Sequence, residues 1–280
     1  MHNHDTELEP VYINLKSNFY TTKYGDSHYL FELEKNINAR QNVDMILSVD
    51  SLKFTNSFYI INENDNKFYY MLEDDSYITL YTLNIPNGNY SAESLCAFLT
   101  SNTPFTVSFN ETNFKITITH ASLEFILINN SNNILNVLGF NNNLSSLSYT
   151  AISDNLINLT GSQMLYVEIS NINTNSILTR GDTTSSSIVL ATPITSHSGD
   201  IQVIHGTHTH KLKNQTINNL EVRLINEEGL RFNFNNIPWY LNLSINFSYK
   251  KNKILPTYLL DNLEETTIND DKLSKESNKK

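Results

Sequence analysis

The stretch WYLNLSINF, Trp239 to Phe247, alternates in character residue by residue. Trp239, Leu241, Leu243, Ile245 and Phe247 fall on one side of an extended chain, and Tyr240, Asn242, Ser244 and Asn246 on the other. Successive side chains of a strand point to opposite faces, so this period of two predicts a half-buried strand; a helix would scatter the apolar groups around its axis. Just upstream, Leu220, Val222 and Leu224 alternate with Glu221 and Arg223. Asn226 to Gly229 (NEEG) reads as a four-residue hairpin loop closed by a left-handed glycine, after which Leu230, Phe232 and Phe234 resume the pattern. Three consecutive antiparallel strands with one apolar face each need a second sheet to cover them.

The same alternation recurs along the chain. Val43, Met45, Leu47 and Val49 make one face of an early strand, and Leu165, Val167 and Ile169 mark another, as does SSIVLATPI. SFYII and KFYYML flank NENDN as an expected hairpin. Nine or more short strands separated by Asn, Asp, Gly and Ser turns predict an all-β sandwich or barrel. One stretch departs from this. After a Pro86-Asn87-Gly88 turn, Ser91 can cap a short helix with Glu93 in its first turn, and Ala92, Leu95, Cys96 and Leu99 share one helical face. The hairpin FTVSF–FKITIT follows, and SNNILNVLGF suggests a second short helix ending near Gly139. Residues 84–145 therefore read as a small α+β insertion within a domain spanning 26–250. Residues 1–25 lack sustained alternation and read as an N-terminal arm. Residues 251–280, charged and glycine-free, read as a disordered tail.

The 280 residues suffice for a sizeable core, and 39% are hydrophobic, a globular composition. A net charge of −10 works against a broad phosphate-binding face, so no direct nucleic-acid partner is expected. One cysteine excludes an intrachain disulfide framework and fits folding in a reducing compartment. The polar start MHNHDTELEP lacks a signal-peptide pattern, and no run approaches the ~18 apolar residues of a membrane span.

Chemistry-bearing groups are sparse. His205, His208 and His210 in HGTHTHK are the only metal candidates; His208 and His210 would share a strand face, but no Cys and, apart from Glu221, no carboxylate follows closely. Cys96 lies on an apolar helix stripe, which argues for packing over nucleophilic work. Glu73-Asp74-Asp75 lacks the spacing of a calcium loop. Glu32, Glu34, Asp44 and Asp50 alternate with apolar residues, as on the wet face of a sheet, although a carboxylate pair in a hydrolase could arise that way. Only 8 Gly occur, and no phosphate loop, serine elbow or HExxH is present. No catalytic residue and no cofactor are expected. Arg180-Gly181-Asp182, a tripeptide some ligands present to integrins, sits among Thr and Ser between two expected strands, where an ordinary connection also favours Gly-Asp.

Three stretches in order carry a resemblance: YTLNIPNGNYSAESLCAFLTSN; then MLYVEISNINTNSI with SSIVLATPI and GDIQVIHG; then TINNLEVRLINEEGLRFNFNNIPWYLNLSINF. Together, over roughly residues 40–248, the chain resembles the penton, or minor capsid, proteins of virophages and polinton-like DNA viruses of the Mavirus type. The resemblance implies a single jelly roll standing at the five-fold vertices of an icosahedral capsid. Five copies would form a ring, neighboured by double-jelly-roll major capsid proteins. It further implies a virion location after assembly in the host cell, no enzymatic activity and no cofactor. The arm at residues 1–20 would be the segment reaching a neighbouring capsomer. The alternative of a different class is a receptor- or carbohydrate-binding jelly roll, such as a spike or fibre head.

Overall fold

The computed structural model describes residues 9–249 apart from 75–76, 131, 142–146, 173, 175–177, 181–182 and 186. Its strands, in chain order, are β1 (Val11–Lys16), β2 (Thr22–Gly25), β3 (His28–Asn38), β4 (Val43–Thr55), β5 (Lys67–Asp74) and β6 (Tyr77–Asn84). Helix α1 (Ala92–Asn102) is followed by β7 (Thr106–Asn110), β8 (Lys115–Thr119), β9 (Phe125–Leu127), β10 (Thr150–Ile152) and β11 (Met164–Ile169). Then come β12 (Leu178–Arg180), β13 (Thr183–Ser185), β14 (Ile188–Pro193), β15 (Ile201–Ile204), β16 (Thr209–Leu212), β17 (Thr216–Ile225) and β18 (Tyr240–Tyr249).

Two sheets make the larger body. One runs β1-β18-β4, with β15 and β16 both pairing on β4's far side; the other runs β14-β11-β17-β3-β2, and every pairing is antiparallel. Along the chain β1, β4, β15/β16 and β18 belong to the first sheet, and β3, β11, β14 and β17 to the second. With β2 as an added edge strand beside β3, two four-position sheets filled in that order are an eight-stranded jelly roll. Between the sheets lies one apolar cluster in which Leu47, Leu52, Leu165, Val167, Leu220, Val222, Trp239, Leu241 and Leu243 are fully enclosed. The inward face of β18 is the one read from its sequence.

β4 shows why thirteen residues can alternate without a simple parity. Val43, Met45, Leu47 and Val49 point inward, and then Leu52 and Phe54 do. The switch falls at Asp50, which has no Cα partner: Leu243 pairs with Val49 and Asn242 with Ser51. Asp50 is thus the extra residue of a β-bulge. Ser244 Oγ donates to its carboxylate at 2.7 Å.

A second apolar cluster, built from Ile61 to Ala151, fills the connection between β4 and β11. It is wider than the 84–145 unit read from sequence: Phe68, Tyr70 and Leu72 of β5 and Ala151 of β10 also belong to it. Two three-stranded sheets, β6-β5-β9 and β10-β8-β7, enclose it with α1. Phe105 is its aromatic hub, with ring centroids 4.8 Å from both Tyr70 and Phe125. Ser91 caps α1 by accepting from Ser94 N at 3.1 Å, and Ser94 Oγ accepts from Ser91 N in return. Ala92, Leu95, Cys96 and Leu99 form the buried face, as their spacing requires.

Several expectations are corrected. Residues 11–25 are not an arm: Val11, Ile13 and Leu15 of β1 pair with Ile245, Leu243 and Leu241, and β2 pairs with β3. β1 does alternate, but over six residues only. SFYII forms no hairpin with KFYYML; it crosses between the two clusters, and β5 pairs with β6 and β9 instead. The chain at 132–139 makes turns rather than a second helix, ending at Gly139 with φ +88°. NEEG is a turn, with Gly229 N donating to Asn226 O at 3.0 Å, yet Leu230–Phe234 returns only an isolated bridge, Ile225 to Arg231. Phe232 and Phe234 turn into the core, left-handed Asn235 and Asn236 redirect the chain, and β18 enters the opposite sheet from β17. The tail 251–280 lies outside the described residues.

Candidate functional site

The three histidines do not converge. Their segment joins β15 to β16 across the bulge of β4, where a side chain at Gly206 would collide with the carbonyl oxygen of Val49. His205 Nδ1 donates to Asp50 O at 3.1 Å, and His210 Nε2 donates to Val189 O at 2.8 Å, so a proton occupies one ring nitrogen of each. His208 is exposed between them. Among the described residues no group of three or more His, Cys, Asp or Glu could hold a metal ion.

The carboxylates are equally dispersed. Glu32 and Glu34 are exposed on β3, in one sheet, while Asp44 and Asp50 lie on β4, in the other. Asp44 meets Lys211 Nζ at 2.5 Å, and Asp50 serves the bulge. Glu73 sits half-buried on β5; the Asp74 side chain and Asp75 are outside the described residues. His28 is ion-paired, with Nε2 2.6 Å from Glu221 Oε1. Burial would raise the Glu221 carboxyl, but bonds from His28 and Ser170, with the charges of His28 and Arg223, hold it below its ordinary range.

Cys96 is buried in the second cluster. Burial, with a smaller contribution from Glu93, pushes its thiol up to about 11. A thiolate is the reactive species, so at pH 8 the folded protein should alkylate with iodoacetamide about a hundredfold more slowly than the urea-unfolded chain. Mass spectrometry of timed samples measures this; equal rates would contradict the packing.

Arg180 ends β12 and pairs with Thr183, which opens β13. Gly181 and Asp182 lie between them, outside the described residues.

The apolar surface is a more informative feature. On β6, Tyr77 is 78% exposed, and Ile78, Leu80 and Tyr81 are also open to solvent. No charged residue occurs in its eight, YITLYTLN, and among the described residues only β5 pairs with it. The jelly roll carries comparable features at both ends of its first sheet: Tyr12 on β1, with Phe19 and Tyr20 beyond it, and Ile201 and Val203 on β15. A free strand edge presents unpaired N–H and C=O groups, and an uncharged apolar one is suited to contact with another protein surface. Sequence reasoning missed these strands as surfaces because alternation shows that a face is apolar, not whether anything covers it. No helix among the described residues is long and apolar enough to cross a membrane.

No protein-family model matches the chain, and no curated protein matches it. Among solved structures, the mavirus penton protein aligns with a TM-score of 0.43 at 10% identity, covering 86% of this chain and 100% of that one. The Sputnik virophage structure aligns with a TM-score of 0.41 at 9% identity, covering 87% of this chain and 99% of that one. At these scores the likeness carries no argument about function, and the jelly-roll assignment rests on strand order: the chain is similar to these two virophage proteins, and its fold stands on its own topology.

Proposed function

We propose that this chain is a structural capsid subunit that assembles as a homopentamer at the five-fold vertices of an icosahedral DNA virus. The observation that carries the reading is a jelly roll with exposed apolar side chains on the strands at the two ends of one sheet and on an uncharged strand of the second lobe. A heterologous ring uses two different patches of each subunit, one meeting the other on its neighbour, and the opposite ends of a sheet supply such a pair. With −10 on each chain, contacts between copies are least costly where charge is absent, as on β6. The order of the three sequence stretches that resemble virophage pentons supports the same reading. The neighbours in the shell would be double-jelly-roll major capsid proteins, the location the virion after assembly in the host cytoplasm, and the role structural rather than enzymatic. Under it, Arg180-Gly181-Asp182 has no receptor-binding role, and Arg180 is the last residue of β12.

A ring of this kind needs roughly 800 Å² buried per partner at each interface. Light scattering and negative-stain imaging of the purified full-length chain are expected to give five-membered rings. Placing Lys at Ile201 and Val203 on β15 should return monomers that keep the far-UV spectrum of the parent. A stable trimer, or monomers at all concentrations and salts, would overturn the reading.

A further inference from the structure

Where the jelly roll meets the second lobe there is a cleft of about 640 Å³. Six stretches of chain line it: the crossing at 56–65, Asn87 and Asn89 before α1, the turn residues among 129–130 and 132–137, the segments 158–163 and 194–198, and the link at 226–235. Fourteen of its 33 lining residues are Asn, against 42 in the 280-residue chain. The bias of the sequence therefore does not account for the lining; amide side chains are concentrated here.

Some of these amides hold the walls. Asn226 donates to Ser162 Oγ at 3.1 Å and accepts from Leu230 N at 2.8 Å, and Asn133 donates to Ile128 O at 2.7 Å and accepts from Leu135 N at 2.8 Å. Others do not: Asn132 and Asn136 are exposed, and their side-chain amides bond none of the described residues. Tyr59, also in the lining, leaves 41% of its surface open and is the most exposed aromatic residue of the cleft.

The charges select further. Glu63, Asp65, Glu227 and Glu228 line the cleft against one Arg, Arg231, so an anionic ligand would be repelled. Two of the acids are already engaged: Glu227 accepts from Gln163 N at 3.1 Å, and Asp65 accepts from Asn62 N at 2.8 Å. Burial, with Glu228 adding to it, pushes the Asp65 carboxyl up against the lowering effect of that Asn62 bond.

Amides that donate and accept in one plane, an exposed ring and a lining that repels anions together suit a ligand that carries no negative charge, is rich in hydroxyls and is flat on one apolar side. We propose that this cleft binds a neutral oligosaccharide. The hydroxyls would exchange bonds with the Asn132 and Asn136 amides, and a sugar's C–H face would lie on Tyr59. The walls belong to two different cores, so the site exists only when both are folded and docked. It stands apart from the pentamer reading, although five copies on one assembly would raise a weak affinity by on the order of 10²–10⁴.

The experiment displays the full-length protein to an array of neutral mannose-, galactose- and N-acetylglucosamine-containing glycans, with sialylated and sulfated glycans alongside. Saturation-transfer NMR then follows whichever neutral glycan binds. Tyr59→Ala and Asn136→Asp, at exposed positions, are each expected to weaken that binding about tenfold or more while leaving the circular dichroism spectrum unchanged. Binding to no neutral glycan, a preference for anionic glycans or peptides, or undiminished binding by both folded variants would overturn the proposal.

Discussion

Replacing Trp239 by alanine is expected to cost about 3–5 kcal/mol of stability, the range for emptying a large aromatic site in a closed core. Trp239 is 1% exposed and packs edge-on against Tyr29 and Phe31, with centroids 5.7 and 6.1 Å away. Its backbone also ties β1 to β18, since its N–H donates to Ser17 Oγ and its carbonyl accepts from Ser17 N, each at 3.0 Å. These backbone bonds survive the substitution, so the loss reports packing. Trp239→Phe keeps most of the buried area and removes an indole N–H that has no partner among the described residues, so its cost should be much smaller. Because Trp239 is the only Trp, urea unfolding should be followed by circular dichroism at fixed protein concentration. A Trp239→Ala loss below about 1 kcal/mol would mean the sheets close over the gap, against the rigidity expected of a packed interior.

Gly139→Ala is expected to damage the second lobe alone. Gly139 has φ +88°, where a side chain is strained, and a Cβ there would collide with the backbone oxygen of Asn155 and lie 2.8 Å from that of Leu156. Backbone strain of this kind costs about 1–3 kcal/mol before the collision is counted. Leu138 and Phe140 on either side are fully enclosed, so the turn cannot swing outward without opening the cluster. Hydrogen exchange followed by mass spectrometry should show faster exchange in α1, β5 and β8, with β4, β17 and β18 keeping their protection. Equal loosening of both sets would show that the two apolar clusters unfold as one unit, contrary to their separate packing.

Local rules carried the reading of single elements a long way. β18 shows its face in its own sequence because both its neighbours and the opposite sheet demand the same parity. α1 is equally legible from Ser91 and the spacing of Leu95, Cys96 and Leu99. β4 is legible only to Val49, because nothing in VDSL announces that Asp50 will be squeezed out of the ladder. β1 was missed since three apolar residues make a short pattern, and its assignment depends on Leu241, Leu243 and Ile245 being across from it. Sheet membership was misread between β17 and β18: the strand pattern of Phe232 and Phe234 is real, but their rings are needed between the sheets rather than in one. The Asn-lined cleft was invisible for a simpler reason. Its residues come from segments far apart in sequence, and each taken alone looks like an ordinary polar loop.

The place of β18 has a consequence for how the chain reaches its fold. It lies between β1 and β4, so Tyr249 pairs with Val43 and Ile245 with Val11, and the first sheet has no continuous middle until these distant parts of the chain meet. Contacts of such long sequence separation form slowly, because loop-closure entropy precedes any gain from pairing. The second lobe, by contrast, is made of neighbours in sequence, β5 with β6 and β7 with β8, and can form while β4 still waits. During that interval the inward side chains of β4 have no cover. An early truncation before β18 would therefore not trim an edge; it would leave a finished lobe attached to an open, adhesive half-sandwich.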